Sequence, residues 1–211
     1  MKAYIFDLDG VLVTTDVFHY LAWKKMADRI GIYFDEEINN HLRGVSRMES
    51  LDIILEKSMV QYSADEKTAL AEEKNRYYTE LLKGMSPADV SQEVRYILKE
   101  LKYRGHKIAI GSSSKNTKFI LQQVGLMNEF DAVSDGSNIT RSKPDPEVFI
   151  KAADFLNENP DNCVVVEDAS SGIEAAKACG MLAVGIGEAA KCPNADYRIE
   201  RFAELFRELV L

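Results

Sequence analysis

Two acidic residues lie close together near the start of the chain, in the stretch YIFDLDGVL at residues 4–12. Asp7 and Asp9 follow a short apolar run and precede Gly10, a pattern typical of a buried strand that ends in a turn. Residues two apart on a strand share a face, so both carboxylates can reach one centre beyond the strand end. One carboxylate could act there as a nucleophile, and the other could transfer protons.

Further polar groups follow two other apolar runs, KIAIG at 107–111 and CVVV at 163–166, and a lysine lies in the loop RSKPDP. These groups are Ser112, Ser114, Lys115, Asn116, Lys143, Glu167 and Asp168. Together with the first acid pair they would bring four carboxylates to one region, where they repel one another unless a cation is shared. Oxygen ligands suit Mg²⁺, and hydroxyls with a lysine suit a phosphoryl group. The set predicts a Mg²⁺-dependent phosphoryl-transfer site.

The elements that must position these groups are strands and helices that alternate along the chain. The predicted strands span 2–6, 107–111, 130–135, 163–168 and 182–187, and the predicted helices span 91–104, 116–124, 146–157, 170–180 and 201–210. Strands that are apolar on both faces and alternate with helices predict a parallel sheet covered on both sides, which is a Rossmann-like α/β fold. In such sheets, ligands bind at the carboxyl ends of the strands, where the polar groups lie.

Residues 15–84 have a different character, because their apolar residues recur at helical spacing and no strand is evident. SRME at 46–49 and SADE at 63–66 read as capping boxes that start two helices. We therefore predict a small α-helical cap domain at 15–84, inserted into an α/β core domain formed by 1–14 and 85–211. Because the insert begins just after the acid pair, we expect it to lie over whatever that pair binds.

Composition excludes several classes of function. The chain has 211 residues, a net charge of −8 and a sequence pI of about 5.0, which argues against nucleic acid or an acidic membrane surface as a partner. Three scattered cysteines without a metal-ligand spacing predict reduced thiols. No secretion signal or transmembrane run is evident. We expect a cytoplasmic monomer that acts on a small anionic substrate.

The motifs DLDGVL, GSSS, SKPDP and VVVEDASSGIEAAKACG occur in this order, and with the helical insert they resemble the haloacid dehalogenase superfamily over nearly the whole chain. The stretches HYLAWKKMADRIGI, LRGVSRMESLDIIL, EKNRYY, SPADV and SSSKN are similar, more narrowly, to its β-phosphoglucomutase branch. This resemblance implies a phosphomutase that interconverts β-D-glucose 1-phosphate and glucose 6-phosphate. It further implies an aspartyl phosphate and a glucose 1,6-bisphosphate as intermediates, with Mg²⁺ as the cofactor.

Matching positions receive roles from this resemblance. Asp7 would be the nucleophile and Asp9 the general acid and base. The implied metal ligands are Asp7, Asp9, Glu167 and Asp168, and the groups implied to hold the transferring phosphoryl are Ser112 and Lys143. The implied substrate-binding residues are His19, Trp23, Gly44, Val45, Arg47, Ser50, Lys74, Ser114, Lys115 and Asn116. Within that set, Arg47 would bind the non-reacting phosphate. The chain departs from the branch at Thr14, where the branch carries an Asp in the segment that leads into the insert.

Each candidate also has a plain structural interpretation. An Asp-x-Asp pair favours turns. The two acids after CVVV could cap the next helix, the serines of GSSS could be an N-cap, and Lys143 could be a solvated loop lysine. In the insert, His19 and Arg47 could be surface residues, while Trp23, Tyr77 and Tyr78 could belong to the core.

Three other functions compete with the phosphomutase. A sugar-phosphate phosphatase would use the same acids and Mg²⁺, with water as the acceptor. A response-regulator receiver also combines acids, a hydroxyl and a lysine on a parallel sheet, but its phosphoacceptor ends a central strand later in the chain. A binding protein with an inactive site is the third alternative, and the full set of catalytic groups argues against it.

Overall fold

The computed structural model describes residues 2–42 and 46–209. The chain forms two compact units, one made of Met1–Thr14 with Met85–Leu211 and the other made of Thr15–Gly84. The strands, in chain order, are β1 Ala3–Phe6, β2 Lys107–Gly111, β3 Ala132–Ser134, β4 Cys163–Glu167, β5 Leu182–Ile186 and β6 Tyr197–Ile199. The helices are α1 Asp16–Arg29, α2 Glu36–Asn40, α3 Arg47–Leu55, α4 Ala64–Leu82, α5 Gln92–Tyr103, α6 Thr117–Gln123, α7 Glu147–Leu156, α8 Ser170–Ala178 and α9 Glu204–Leu209.

The first unit is built on a parallel sheet with the order β3-β2-β1-β4-β5-β6. β1 lies at the centre, with Ala3 in register with Lys107 of β2 on one side and with Cys163 of β4 on the other. All four residues of β1 are buried, as expected for a strand paired on both edges and covered on both faces. The predicted α/β fold with a parallel sheet is confirmed.

Two details of the sheet differ from the sequence-based prediction. β3 is shorter than the predicted span of 130–135, and β6 was not predicted at all. Both are three-residue strands at the edges of the sheet, so each pairs on one side only. An edge strand does not need the continuous apolar run that marks a central strand, and its sequence signal is correspondingly weak.

A close contact between α7 and β2 shapes the core beneath the strand ends. A Cβ atom added to Gly111 would lie 2.6 Å from Cδ1 of Phe149, so the ring occupies the space that a side chain at Gly111 would need. Phe149 is fully buried in a cluster that also contains Val165 of β4 and Ile173 of α8. Burying such a side chain contributes roughly 1.5–3 kcal/mol. The glycine therefore allows α7 to pack tightly against the sheet.

The second unit contains α1 to α4 and has an apolar cluster of its own. Its buried members include Trp23, Met26, Phe34, Leu51, Ile54 and Leu70. Both predicted capping boxes are present, with Ser46 and Glu49 at the start of α3 and Ser63 and Glu66 at the start of α4. Each satisfies backbone N–H groups that the first turn of a helix leaves without partners.

Two whole-chain expectations can be compared with the structure. Within residues 2–42 and 46–209, no helix is both long enough and apolar enough to cross a bilayer. Cys163, Cys179 and Cys192 are all free, as predicted for reduced thiols. Burial raises the pKa of Cys163 to about 11, so this thiol stays protonated and unreactive near neutral pH.

Candidate active site

The first acid pair lies just beyond the central strand. The backbone N–H of Asp7 donates to the carbonyl of Val166 at 3.0 Å, which extends the pairing of β1 with β4 by one residue. Gly10 follows in the left-handed region, at φ +82°, and a Cβ atom there would lie 2.0 Å from Oδ2 of Asp168. A glycine is thus needed both for the turn and for the close approach of the acid that follows β4.

Lys143 connects two of the predicted acids. Its Nζ lies 2.5 Å from Oδ1 of Asp7 and 2.5 Å from Oε1 of Glu167. The lysine side chain is only 6% exposed, and its ammonium lies 4.7 Å from the ring centroid of Phe149. The structure therefore places Lys143 as a buried bridge between strand ends and not as a solvated loop lysine.

Two hydrogen bonds and close packing against α8 fix the position of Glu167. One carboxylate oxygen accepts from Lys143, and the other accepts from the backbone N–H of Ala169 at 2.8 Å. A Cβ atom on Gly172, in α8, would lie 2.0 Å from the Glu167 carboxylate, so a glycine makes room for it. Glu167 does not cap α8, which has no side-chain cap bond, but it accepts from the N–H of Ala169, the residue that precedes the helix.

One ammonium among several acids leaves the site short of positive charge. Burial raises the pKa of Asp7, Lys143 opposes that shift, and Glu167 and Asp9 add to it. Burial likewise raises the pKa of Asp168, and the neighbouring acids raise it further. For Lys143 itself, burial lowers the pKa, but Asp7 and Glu167 outweigh this effect and keep the ammonium charged. The cluster is therefore arranged to favour one more cation.

The acid cluster is the predicted metal site. Among the residues that the structure describes, no group of three or more His, Cys, Asp or Glu side chains is placed so that it could hold a metal ion as the side chains stand. Lys143 bonds to one oxygen of Asp7 and to one oxygen of Glu167, so a positive charge already lies among these acids. The donor set itself consists of carboxylate oxygens, which is the chemistry that fits Mg²⁺, and the pKa values of Asp7 and Asp168 are raised.

The loop after β2 brings the predicted phosphate-binding groups to the same edge of the sheet. Ile110 is in register with Phe6, so Ser112 and Asp7 leave neighbouring strands at nearly the same level. Ser112 is buried, and its hydroxyl accepts from the N–H of Ser114 at 3.3 Å. The Ser114 hydroxyl accepts from the N–H of Asn116 at 3.2 Å, whereas the N-cap of α6 makes no side-chain cap bond. These serines shape the loop and do not cap the helix in the usual way.

In the second unit, the half-buried His19 contacts the buried Lys74. Nζ of Lys74 lies 2.8 Å from Nδ1 of His19 and 4.7 Å from the ring centroids of both Trp23 and Tyr78. Lys74 is only 3% exposed. Burial lowers the pKa of His19 well below its usual value, and the charges of Lys74 and Arg47 lower it further. Trp23 belongs to the apolar cluster of this unit, as its plain interpretation predicted.

The remaining predicted residues of the second unit lie at the start of α3. Arg47 is the first residue of that helix and is half-buried, and burial lowers the pKa of its guanidinium. Ser50 lies one turn later and is buried. Gly44 and Val45 lie outside the described residues, so their predicted role is not addressed by the structure.

Sequence reasoning missed three groups that build the site. Gly10 and Gly172 make room for the carboxylates of Asp168 and Glu167. Glu147, the first residue of α7, accepts several hydrogen bonds from the loop that carries Lys143. Two sequence signals could have indicated these residues. The glycines lie close to the two acid motifs, and Glu147 directly follows Pro-Asp-Pro.

Comparison with protein families gives a match over most of the chain. The model of haloacid dehalogenase-like hydrolases matches residues 1–180. The β-phosphoglucomutase of Bacillus subtilis is 40% identical over 212 residues, covering 100% of this chain and 94% of that protein. A phosphorylated carbohydrates phosphatase of Thermotoga maritima is 33% identical over 184 residues, covering 86% of this chain and 82% of that protein.

A solved structure matches at the level of the fold and of the sequence. The crystal structure of a β-phosphoglucomutase from Clostridium difficile superposes with a TM-score of 0.91 at 39% sequence identity. The match covers 100% of this chain and 95% of that chain.

Proposed function

Because the chain belongs to the family of haloacid dehalogenase-like hydrolases, we propose that it is a phosphomutase that interconverts β-D-glucose 1-phosphate and glucose 6-phosphate. The observation that carries the proposal is the position of Asp7, whose carboxylate ends the central strand and is held by a buried lysine. Similarity to β-phosphoglucomutases along the full chain favours a mutase over other phosphoryl-transfer enzymes of the family.

In the proposed reaction, Asp7 alternates between a free carboxylate and an aspartyl phosphate. Phosphorylated Asp7 donates its phosphoryl group to the 6-hydroxyl of glucose 1-phosphate, and Asp9 takes the hydroxyl proton. The bisphosphate then reorients, and the Asp7 carboxylate attacks the phosphorus at C1. Asp9 returns a proton to the departing O1, and glucose 6-phosphate leaves. Two similar acids thereby take two roles, set by their different environments.

Lys143 and Ser112 would hold the phosphoryl group during both transfers. The ammonium already lies 2.5 Å from the nucleophilic carboxylate, so it can offset charge on the transferring oxygens without further movement of Asp7. Most of the rate in such reactions comes from positioning and charge neutralisation, which a buried and bonded lysine is suited to supply.

Mg²⁺ is the cofactor of this proposal, and Asp7, Asp9, Glu167 and Asp168 are the residues that would hold it. When bound, the ion would neutralise the phosphoryl oxygens and the acid cluster. Both oxygens of Glu167 already accept hydrogen bonds, from Lys143 and from Ala169. Each oxygen keeps a further lone pair, so Glu167 could position Lys143 and still contribute to the ion site.

A second set of cationic and polar groups would bind the phosphate that does not react. These are Arg47 in the helical unit and Ser114, Lys115 and Asn116 after β2. A mutase must hold one phosphate while it transfers the other, whereas a simple phosphatase needs only the reactive site. Gly44, Val45 and Ser50 would line the sugar pocket with Lys74 and Trp23 near it, and His19 would couple the helical unit to Asp9. We place the activity in the cytoplasm, in a monomer.

The alternative is a phosphatase that hydrolyses a sugar phosphate, and the 33% identity to a phosphorylated carbohydrates phosphatase favours it. The test incubates the protein with Mg²⁺, β-glucose 1-phosphate and a trace of glucose 1,6-bisphosphate. Formation of glucose 6-phosphate without release of inorganic phosphate is the expected result. Rapid phosphate release without glucose 6-phosphate would overturn the mutase and support the phosphatase.

A further inference from the structure

The loop between β3 and α7 carries Lys143, and one side chain of α7 fastens that loop. Oε2 of Glu147 accepts three hydrogen bonds, from the N–H of Thr140 at 2.9 Å, the hydroxyl of Thr140 at 2.9 Å and the N–H of Arg141 at 2.8 Å. Bonds from a charged acceptor to backbone N–H groups are among the strong hydrogen bonds of proteins. They hold the loop two residues before the lysine.

Lys151, one turn further along α7, reinforces this attachment. Its Nζ lies 2.8 Å from Oε1 of Glu147 and also donates to the carbonyl of Asn138. Both oxygens of Glu147 are therefore in use, and the loop is tied to α7 at residue 138 as well as at 140 and 141. The bond from Lys151, and then those from the two backbone N–H groups, lower the pKa of Glu147 to about 2, so it is ionised throughout the neutral range.

The other side of Lys143 is closed by a compact turn. The N–H of Asp145 donates to the carbonyl of Ser142 at 3.0 Å, and the N–H of Glu147 donates to Oδ1 of Asp145 at 3.0 Å. Arg141 pairs with Asp145 at 2.9 Å across the same turn. Lys143 thus lies between two anchored segments, and the backbone on both sides of it is fixed relative to α7.

We propose that Glu147 is a positioning residue, whose carboxylate holds residues 140 and 141 against α7 and thereby places the ammonium of Lys143 between Asp7 and Glu167. An acid in the first turn also interacts favourably with the helix macrodipole. That general role would not require bonds to groups six and seven residues earlier in the chain. The effect on turnover rests on the proposed function, since it assumes that Lys143 serves phosphoryl transfer, but the effect on the position of Lys143 does not.

The experiment compares Glu147→Leu, which removes both acceptor oxygens, with Glu147→Gln, which keeps one. Asp154→Asn, an exposed acid of the same helix, is the matched control for loss of charge.

The first measurement is independent of activity. Acylation of Lys143 by a water-soluble reagent, followed by mass spectrometry, should be at least about tenfold faster in Glu147→Leu, and hydrogen exchange at Thr140 and Arg141 should accelerate in parallel. Glu147→Gln should lie between wild type and Leu, and the control should match wild type.

The second measurement is steady-state turnover of β-glucose 1-phosphate. Glu147→Leu should lose about 10- to 100-fold in kcat, because small displacements of a catalytic group have effects of that size. The KM should change little, since the proposed substrate-binding residues lie in other segments. Thr140→Val removes only the hydroxyl donor, so its loss in kcat should be smaller. This variant replaces Glu147→Leu in the experiment if Glu147→Leu does not fold.

The outcomes separate this inference from the proposed function. Unchanged acylation of Lys143 in Glu147→Leu would overturn the positioning role. Faster acylation with an unchanged kcat would support the placement of Lys143 by Glu147 and would overturn the role of Lys143 in the proposed phosphoryl transfer. Glu147→Leu could instead lower the thermal midpoint and accelerate hydrogen exchange over the whole chain. That result would show general destabilisation and would also overturn the positioning role. A wild-type protein that turns over no hexose phosphate would instead remove the proposed function, while the acylation result would still test the placement of Lys143.

Discussion

The two units of this protein contain buried polar clusters of opposite charge. In the α/β unit, carboxylates at the ends of β1 and β4 surround the single ammonium of Lys143. In the helical unit, His19 contacts the buried ammonium of Lys74 and is influenced by the charge of Arg47. Since buried like charges are unfavourable without a counterion, the acid cluster favours a cation, whereas in the helical unit burial and the neighbouring cations favour the neutral form of His19.

The two clusters also differ in how they are built. The acids of the α/β unit extend from neighbouring parallel strands whose registers are fixed by backbone hydrogen bonds. The basic groups of the helical unit belong to side chains on three helices, α1, α3 and α4, held by apolar packing. Groups placed by paired strands suit a reaction centre, because a catalytic group must be held close to its productive geometry. We therefore expect substitutions in the acid cluster to lower kcat. Substitutions of the basic residues in the helical unit should instead change the affinity for substrate or the stability of the fold.

The largest effect is expected from Asp7→Asn. An amide at this position cannot form the acyl phosphate, so kcat for conversion of β-glucose 1-phosphate should fall by roughly 10⁴-fold or more, as for other covalent nucleophiles. The coupled assay for glucose 6-phosphate measures this, and an unchanged circular dichroism spectrum controls for folding. Turnover near the wild-type rate would break the comparison, because the acid cluster would then not be the reaction centre.

The next effect concerns the cation that the acid cluster favours. Asp168→Asn removes one of the carboxylates, so the Mg²⁺ concentration for half-maximal activity should rise roughly 10- to 100-fold. Mg²⁺ should also raise the thermal midpoint of the wild-type protein by a few degrees, on the order expected for ligand linkage, and should raise that of the variant less. Equal Mg²⁺ dependence of activity and of the thermal midpoint in both proteins would show that Asp168 does not hold the ion.

Arg47→Leu addresses the basic cluster. A guanidinium that binds phosphate contributes about 1.5–3 kcal/mol, so its loss should raise the KM for β-glucose 1-phosphate by roughly 10- to 100-fold. Arg47→Lys should recover part of the affinity, because the charge remains while the bidentate geometry is lost. The measurement is the KM together with kcat at saturating Mg²⁺. A fall in kcat at constant KM would assign Arg47 to the chemistry and remove the contrast between the two units.

The smallest effect is a pH dependence of stability from His19. Burial and the nearby cations lower its pKa in the folded protein, while the unfolded value is near the usual 6.5. Between these values the unfolded chain binds more protons, so the free energy of unfolding should fall as the pH drops below about 6.5. At about one pH unit below 6.5, the free energy of unfolding should be lower by on the order of 1 kcal/mol.

Urea unfolding of wild type and His19→Gln at a series of pH values measures this effect. The variant cannot gain a proton at this position, so its stability should vary less between pH 7 and the acid end of the series. Parallel curves for the two proteins would show that the basic cluster does not hold His19 in its neutral form.

Much of the α/β unit could be predicted from the sequence, because its central strands are continuous apolar runs that stop at acids or serines. The helical unit was predictable at its helix starts, where Ser46 and Ser63 form capping boxes. The three-residue edge strands were less so, since they lack an apolar run. Lys143 was a weak candidate by itself, because a lysine before a proline in a polar loop carries no local sign of burial.

The amino-acid sequence by itself determined the parallel α/β class, the helical insert and the identity of the acids at the strand ends, because periodicity and local turn chemistry specify these features directly. Only the tertiary structure decided that Lys143 bridges Asp7 and Glu167, that His19 meets Lys74 and that Glu147 fastens the lysine loop. These pairs are distant in the chain or depend on the path of a loop. Their proximity follows from strand order and helix packing, which no local pattern encodes.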